Sequence, residues 1–187
     1  MLWAIPIGIL FGLVARGHLE GLAALRLRWA WLAVAGLLVQ VVLFSEAGSA
    51  LAGAYGPAIY VASTLAVFIA VVLNIQITGM PLVALGSLSN LVAISANGGF
   101  MPADPAALHA AGFDGPGAHT NSIVLEKPAF EPLTDIFAIP ASLPLANVFS
   151  IGDVLLGIGI VVVIVAAMRR VRSQEAASPV DVAPIGG

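Results

Sequence analysis

"NVFSIGDVLLGIGIVVVIVAAMRR", residues 147–170, decides the fold. Past Asp153 it is apolar without interruption until Arg169 and Arg170. A bilayer core takes about 20 predominantly apolar residues of helix, so this stretch reads as a membrane span. Asp153 at its mouth has two readings, a helix cap or a catalytic group. Ser150 and Asp153 fit the S-x-x-[DE] capping box, in which the Ser hydroxyl accepts from the Asp153 amide and the carboxylate reaches back to the Ser150 amide. A negative charge at that end also suits the positive pole of the helix dipole.

The rest of the chain agrees with a membrane setting. Of its 187 residues 60% are hydrophobic and only 9% charged, and its mean hydropathy is +1.05. Soluble domains carry about 25% charged residues, far more than this chain could offer to water. There are no cysteines, which excludes disulfides, thiolate metal sites and cysteine nucleophiles.

Four more apolar stretches, residues 1–15, 29–44, 57–77 and 80–96, join the one at 150–168. The expected fold is therefore an all-α integral membrane protein, a five-helix transmembrane bundle with a long extracytoplasmic loop. The bundle occupies residues 1–172, its outer cap residues 98–144, and residues 173–187 form a disordered cytoplasmic tail. The first two stretches are short for a span and borrow flanking residues. Stretch 1–15 is read as a retained helix and not a signal peptide, because it has no basic n-region and Arg16 stands where a cleavage site would fall. Residues 77–80, "ITGM", then Pro81, make the third and fourth helices an antiparallel hairpin.

Orientation follows from the arginines. Arg16, Arg26 and Arg28 lie between the first two helices, and Arg169, Arg170 and Arg172 follow the last. Five helices put both groups on one side, the cytoplasmic one. The N-terminus and the long loop then face outward. This places the protein in a bacterial cytoplasmic membrane, with the lipid bilayer as its first partner and no nucleic acid among the others.

The long loop carries Pro102, Pro105, Pro116, Pro128, Pro132, Pro140 and Pro144, which oppose long helices and strands alike. It also carries Phe100, Phe113, Ile123, Val124, Phe130 and Phe137, too many large apolar groups for a disordered linker. It reads as an ordered cap with a mobile centre at residues 112–117, able to contact other membrane subunits. His109 and His119 stand near Asp104 and Asp114, but their spacing matches no ligand motif, so neither a metal nor a cofactor is expected. His18 lies in the Arg-rich turn and reads as solvated. No histidine falls inside a span to ligate haem.

Polar residues at membrane depth mark the bundle interior. Ser87, Asn90, Ile94 and Asn97 recur at three- and four-residue spacing on one helical face. Such amides serve as interhelical hydrogen bonds, and Gln40, Asn74 and Gln76 read the same way. "NGG", residues 97–99, ends the fourth helix, since Asn and Gly tolerate the left-handed conformation.

Asp135 in "LTDIF", residues 133–137, is a second acid on the outer side. Two carboxylates that meet can share a proton and activate water. "GSLSNLVAI" (86–94), "LTDIF" and "NVFSIGDVLLGIG" (147–159) together resemble lipoprotein signal peptidase. In that family G-x-x-G-N-x-x-D-R and F-N-x-A-D-x-x-I supply the catalytic aspartates. Asn90 matches the family asparagine and Asp153 the second catalytic Asp. The first catalytic Asp falls on Ala93 and the adjacent Arg on Ile94. Asp135 matches a non-catalytic acid and is the only available substitute, and the extra helix and long loop are further departures.

"NLVAISANGGFMP" (90–102), the "LTD" segment and "NVFSIGD" (147–153) resemble a domain-of-unknown-function family of small bacterial multi-pass membrane proteins. That resemblance implies membrane topology and no activity. Two functional classes follow. The first is a non-catalytic subunit or interaction protein. The alternative is a membrane-embedded aspartyl hydrolase using Asp153 and Asp135.

Overall fold

The computed structural model of the protein describes residues 3–113 and 122–177. Asp114, His119, residues 114–117 of the expected mobile centre and residues 178–187 of the expected tail lie outside them. The chain is mostly helical. Its long helices are α1 (Ala4–Val14), α3 (Ala30–Leu43), α5 (Gly56–Val72), α6 (Met80–Ala96) and α8 (Ile151–Ala177), with short α2 (Glu20–Ala23), α4 (Glu46–Ala52) and α7 (Pro105–Ala110) between them. Among the described residues two helical stretches are long and apolar enough to cross a membrane, Glu46–Val72 and Ile151–Arg170, and α1, α3 and α6 are apolar but shorter.

Boundaries shift where local chemistry intervenes. The third stretch starts earlier than its hydropathy suggests, because α4 and a 3-10 turn (Gly53–Tyr55) run into α5. Pro57 then sits in the first turn of α5, where its missing N–H costs nothing. The same helix ends early, at Val72. Asn74 donates to the Ala70 carbonyl at 2.7 Å and pairs with both backbone groups of Arg28, each at 2.8 Å. Its amide thus stops the helix and ties the Arg-bearing loop to it. Helix α8, by contrast, runs on to Ala177, so residues 173–177 are helical.

The helices pack in the order α1–α8–α6–α5–α3, with α2 against α8. Close approach of α6 and α8 rests on glycine. A Cβ on Gly159 would stand 2.7 Å from the Val83 amide nitrogen, and one on Gly86 would stand 2.8 Å from that of Leu156. Small residues that let backbones meet are how helices associate without a hydrophobic driving force. The faces turned away from these contacts are apolar and bare: Val14 is 74% exposed and Val41 70%.

The segment between α6 and α8 is not all helical. It holds two small sheets, parallel β1 (Met101–Pro102) with β2 (Ser122–Ile123) and antiparallel β3 (Phe137–Ile139) with β4 (Asn147–Phe149). Pro102 closes β1 and Pro140 follows β3, so neither strand runs on. The second sheet carries the extended backbone as far as Phe149, where α8 follows. Ala103, Ala107, Ala111 and Val148 form the segment's own small core. A second core of Tyr60, Ala93, Ile94 and Met101 joins it to the helices.

Asn97 anchors the cap. Its amide donates to the Ala129 carbonyl at 3.0 Å and accepts from the Ala129 N–H at 2.8 Å, while also donating to the Ala93 carbonyl. Asn97→Ala removes all of these at about 0.5–1.5 kcal/mol per bond, discounted for exposure. The expected result is faster proteolysis within residues 122–133 with a small change in the global thermal midpoint. Unchanged cleavage there would show that Asn97 does not hold the cap.

Candidate functional site

The capping residues of α8 do more than cap. Ser150 Oγ accepts from the Asp153 N–H at 3.1 Å, and Asp153 Oδ2 accepts from the Ser150 N–H at 3.1 Å. The other carboxylate oxygen, Oδ1, accepts from Asn90 Nδ2 of α6 at 2.9 Å. Ser150 Oγ in turn donates to Asn90 Oδ1 at 2.9 Å. Three side chains therefore close one ring of hydrogen bonds between α6 and α8. Ser150 is fully buried, so the bonds it makes replace contact with water, whereas Asn90 and Asp153 are half-buried. Gly152 makes the ring possible: a Cβ there would collide with Asn90 Oδ1.

Asp135 reaches the same region from the cap. Its N–H donates to the Pro102 carbonyl at 2.9 Å, and its carbonyl accepts from the Asp104 N–H at 3.0 Å. The segment is thereby laid alongside β1, with Ala103 bridged to Asp135. Asp135 is buried and engaged by a partner. Asp104 acts locally, its Oδ1 accepting from the Ala107 N–H at 3.0 Å and capping α7.

Where α3, α5, α6 and α8 meet the cap, with Trp3 beside them, there is a cavity of about 470 Å³. Asp135 and Asp153 both line it, with Gln40, Thr64, Ser87, Asn90 and Asn147 as further polar walls. Among the described residues, no Lys, Arg or His lines it. Gln40 of α3 donates to Thr64 Oγ1 of α5 at 3.2 Å. Ser87 and Asn90 of the polar stripe face this cavity, whereas Asn97 faces the cap. His109 lies on α7 and His18 beside the end of α8, where its N–H donates to the Met168 carbonyl; neither lines the cavity.

Sequence reasoning did not foresee that Asn90 and Asp153 would bond, nor that Trp3 and Asn147 would line the cavity. The Asn90–Asp153 pairing left no signal beyond the polar stripe on one helix and the acid on another.

A family model described as "Family of unknown function (DUF5317)" matches residues 24–165. The chain belongs to this family. The matched residues include α3, α5, α6 and the cap, together with Asn90, Asp135, Ser150 and Asp153. No curated protein and no solved structure matches the chain. Membership in the family assigns no chemistry to the acids. Ala93, which stands where the signal peptidase pattern carries its first aspartate, is fully buried in the core with Tyr60 and Met101.

Proposed function

We propose that this member of the family is a five-helix integral protein of the bacterial cytoplasmic membrane, N-terminus outside and C-terminus inside, and that it acts as a non-catalytic subunit or interaction protein. One observation carries the non-catalytic part: both Asp153 oxygens already accept from donors of the bundle, Asn90 Nδ2 and the Ser150 N–H. An acid so engaged fastens α8 to α6. The bare apolar faces of α1 and α3 and the apolar lengths of Glu46–Val72 and Ile151–Arg170 support the membrane setting.

A second reading, the aspartyl hydrolase, is favoured by a different observation, the presence of Asp135 and Asp153 on one cavity. Extraction in mild detergent at native expression separates the two. The subunit reading expects a defined complex with a second protein in fixed stoichiometry, retained in Asp135→Asn. A lone chain, with a deletion strain that accumulates an uncleaved membrane precursor rescued by the wild type but not by Asp135→Asn, would assign the hydrolase.

Topology has its own test, since the chain lacks cysteine. Ser142, exposed in the cap, replaced by Cys should react with an impermeant thiol reagent in intact cells. Glu20→Cys, exposed on α2, should react only after permeabilisation. The reverse pattern would invert the orientation.

A further inference from the structure

The polar cavity does not end at Asp153. A groove of about 530 Å³ continues from it between α1 and α8, and the two spaces share Trp3, Ile139, Asn147 and Asp153. Away from that junction the groove is apolar, walled by Ile7, Val154, Gly157, Ile158, Val161 and Val162. From Asp153 to Val162 the helix rises about 14 Å at 1.5 Å per residue. That is roughly half of a ~30 Å hydrocarbon core, the depth of one leaflet.

We infer that cavity and groove together form a binding site for an outer-leaflet amphiphile with a single acyl chain in the groove and an ammonium head in the cavity. The inference rests on the membrane reading above. Three observations fit this occupant. The groove has the length and apolar lining of a chain lying along α8. The cavity presents two carboxylates and several amide and hydroxyl groups, with no cationic side chain among its described lining residues, so a positive, hydrogen-bond-donating head is complementary and an anionic one is repelled. Ser87 lines the cavity too, and its hydroxyl adds an acceptor for an ammonium head.

Gly157 offers a way to block the groove without disturbing the bundle. A Cβ there meets only the Ala4 Cβ at 4.0 Å, an ordinary contact. Gly157→Phe should therefore fill the groove, and Ile158→Trp, at a position half exposed, is the second blocking variant.

The test uses the full chain in lipid nanodiscs with three photoactivatable probes of one chain length, a dodecylamine, a dodecanol and a dodecyl sulfate, each with a chain diazirine. The amine should label α1 and α8 groove residues about tenfold more than the alcohol or sulfate does, a difference of about 1.4 kcal/mol, as a charge-assisted hydrogen bond to the head would give. Either blocking variant should abolish that preference, and Asp135→Asn should reduce it. All three probes should label the exposed face of α3 equally, which reports membrane embedding. Equal labelling of groove and α3 face by every probe would overturn the site while leaving the membrane reading intact. Absence of labelling on α3 as well would overturn both.

Discussion

Gly152→Ala is expected to destabilise the protein by about 3 kcal/mol, whereas Gly157→Ala on the same helix is expected to be neutral or stabilising. The chemical change is identical, so any difference comes from what the new methyl group meets. At Gly152 it would strike Asn90 Oδ1 and lie 2.9 Å from the Gly86 carbonyl oxygen. The Asn90 side chain can swing away, but only by leaving Asp153 and Ser150. The Gly86 carbonyl is backbone and moves only if α6 does. Overpacking costs about 1–3 kcal/mol, and stranding buried hydrogen-bonding groups adds about 1–3 kcal/mol. At Gly157 the methyl group meets nothing closer than 4.0 Å, and alanine gains up to about 1 kcal/mol in helix propensity. Thermal midpoints in detergent should thus diverge, with Gly157→Ala unchanged or higher and Gly152→Ala falling by roughly 6–12 °C at about 2–4 °C per kcal/mol. A Gly152→Ala midpoint equal to that of the wild type would mean that α6 and α8 are not this close.

How much of this was legible in the sequence depends on the range of the interaction. The capping box was readable because Ser150 and Asp153 are three residues apart and helix geometry alone brings them together. The apolar helices are legible because each is one continuous apolar run, and among the described residues Glu46–Val72 and Ile151–Arg170 are long enough to cross a membrane. The α6–α8 contact was harder. Its glycines, Gly79 and Gly86 on one side and Gly152 and Gly159 on the other, share a seven-residue spacing, but spacing does not say which helices pair. The order of the cap is legible in its aromatic and aliphatic content. Its strands are invisible there, since two or three residues carry no period. Meeting of Asp135 and Asp153 on one cavity depends on pairing of the Asp135 segment with β1 across more than thirty residues of chain, and local pattern holds no record of that.

Asp153→Ala should cost about 2–4 kcal/mol, and Asp153→Asn about 1 kcal/mol. Alanine removes a cap worth about 0.5–2 kcal/mol. It also leaves Asn90 Nδ2 and the Ser150 N–H without their acceptor, at about 1–3 kcal/mol for a buried orphan. Asparagine can rebuild the ring. Its oxygen can still accept from the Ser150 N–H, and its NH₂ would face Asn90, whose amide can rotate to present oxygen. Asn90 would then donate to Ser150 Oγ, which continues to accept from the residue 153 N–H. Only the charge and the Ser150 proton's partner are lost. The rank order wild type, Asn, Ala in thermal midpoint is therefore the signature of a lock. A double-mutant cycle between Asn90→Ala and Asp153→Ala should show a coupling of at least about 0.5 kcal/mol, because the two groups share a bond. A hydrolase predicts a different order: Asn and Ala at position 153 would be equally inactive despite unequal stabilities, and Asp135→Asn would join them. If biological activity follows stability through the series, Asp153 holds the helices together. If activity vanishes in the well-folded Asn variant, Asp153 carries chemistry and the non-catalytic reading falls.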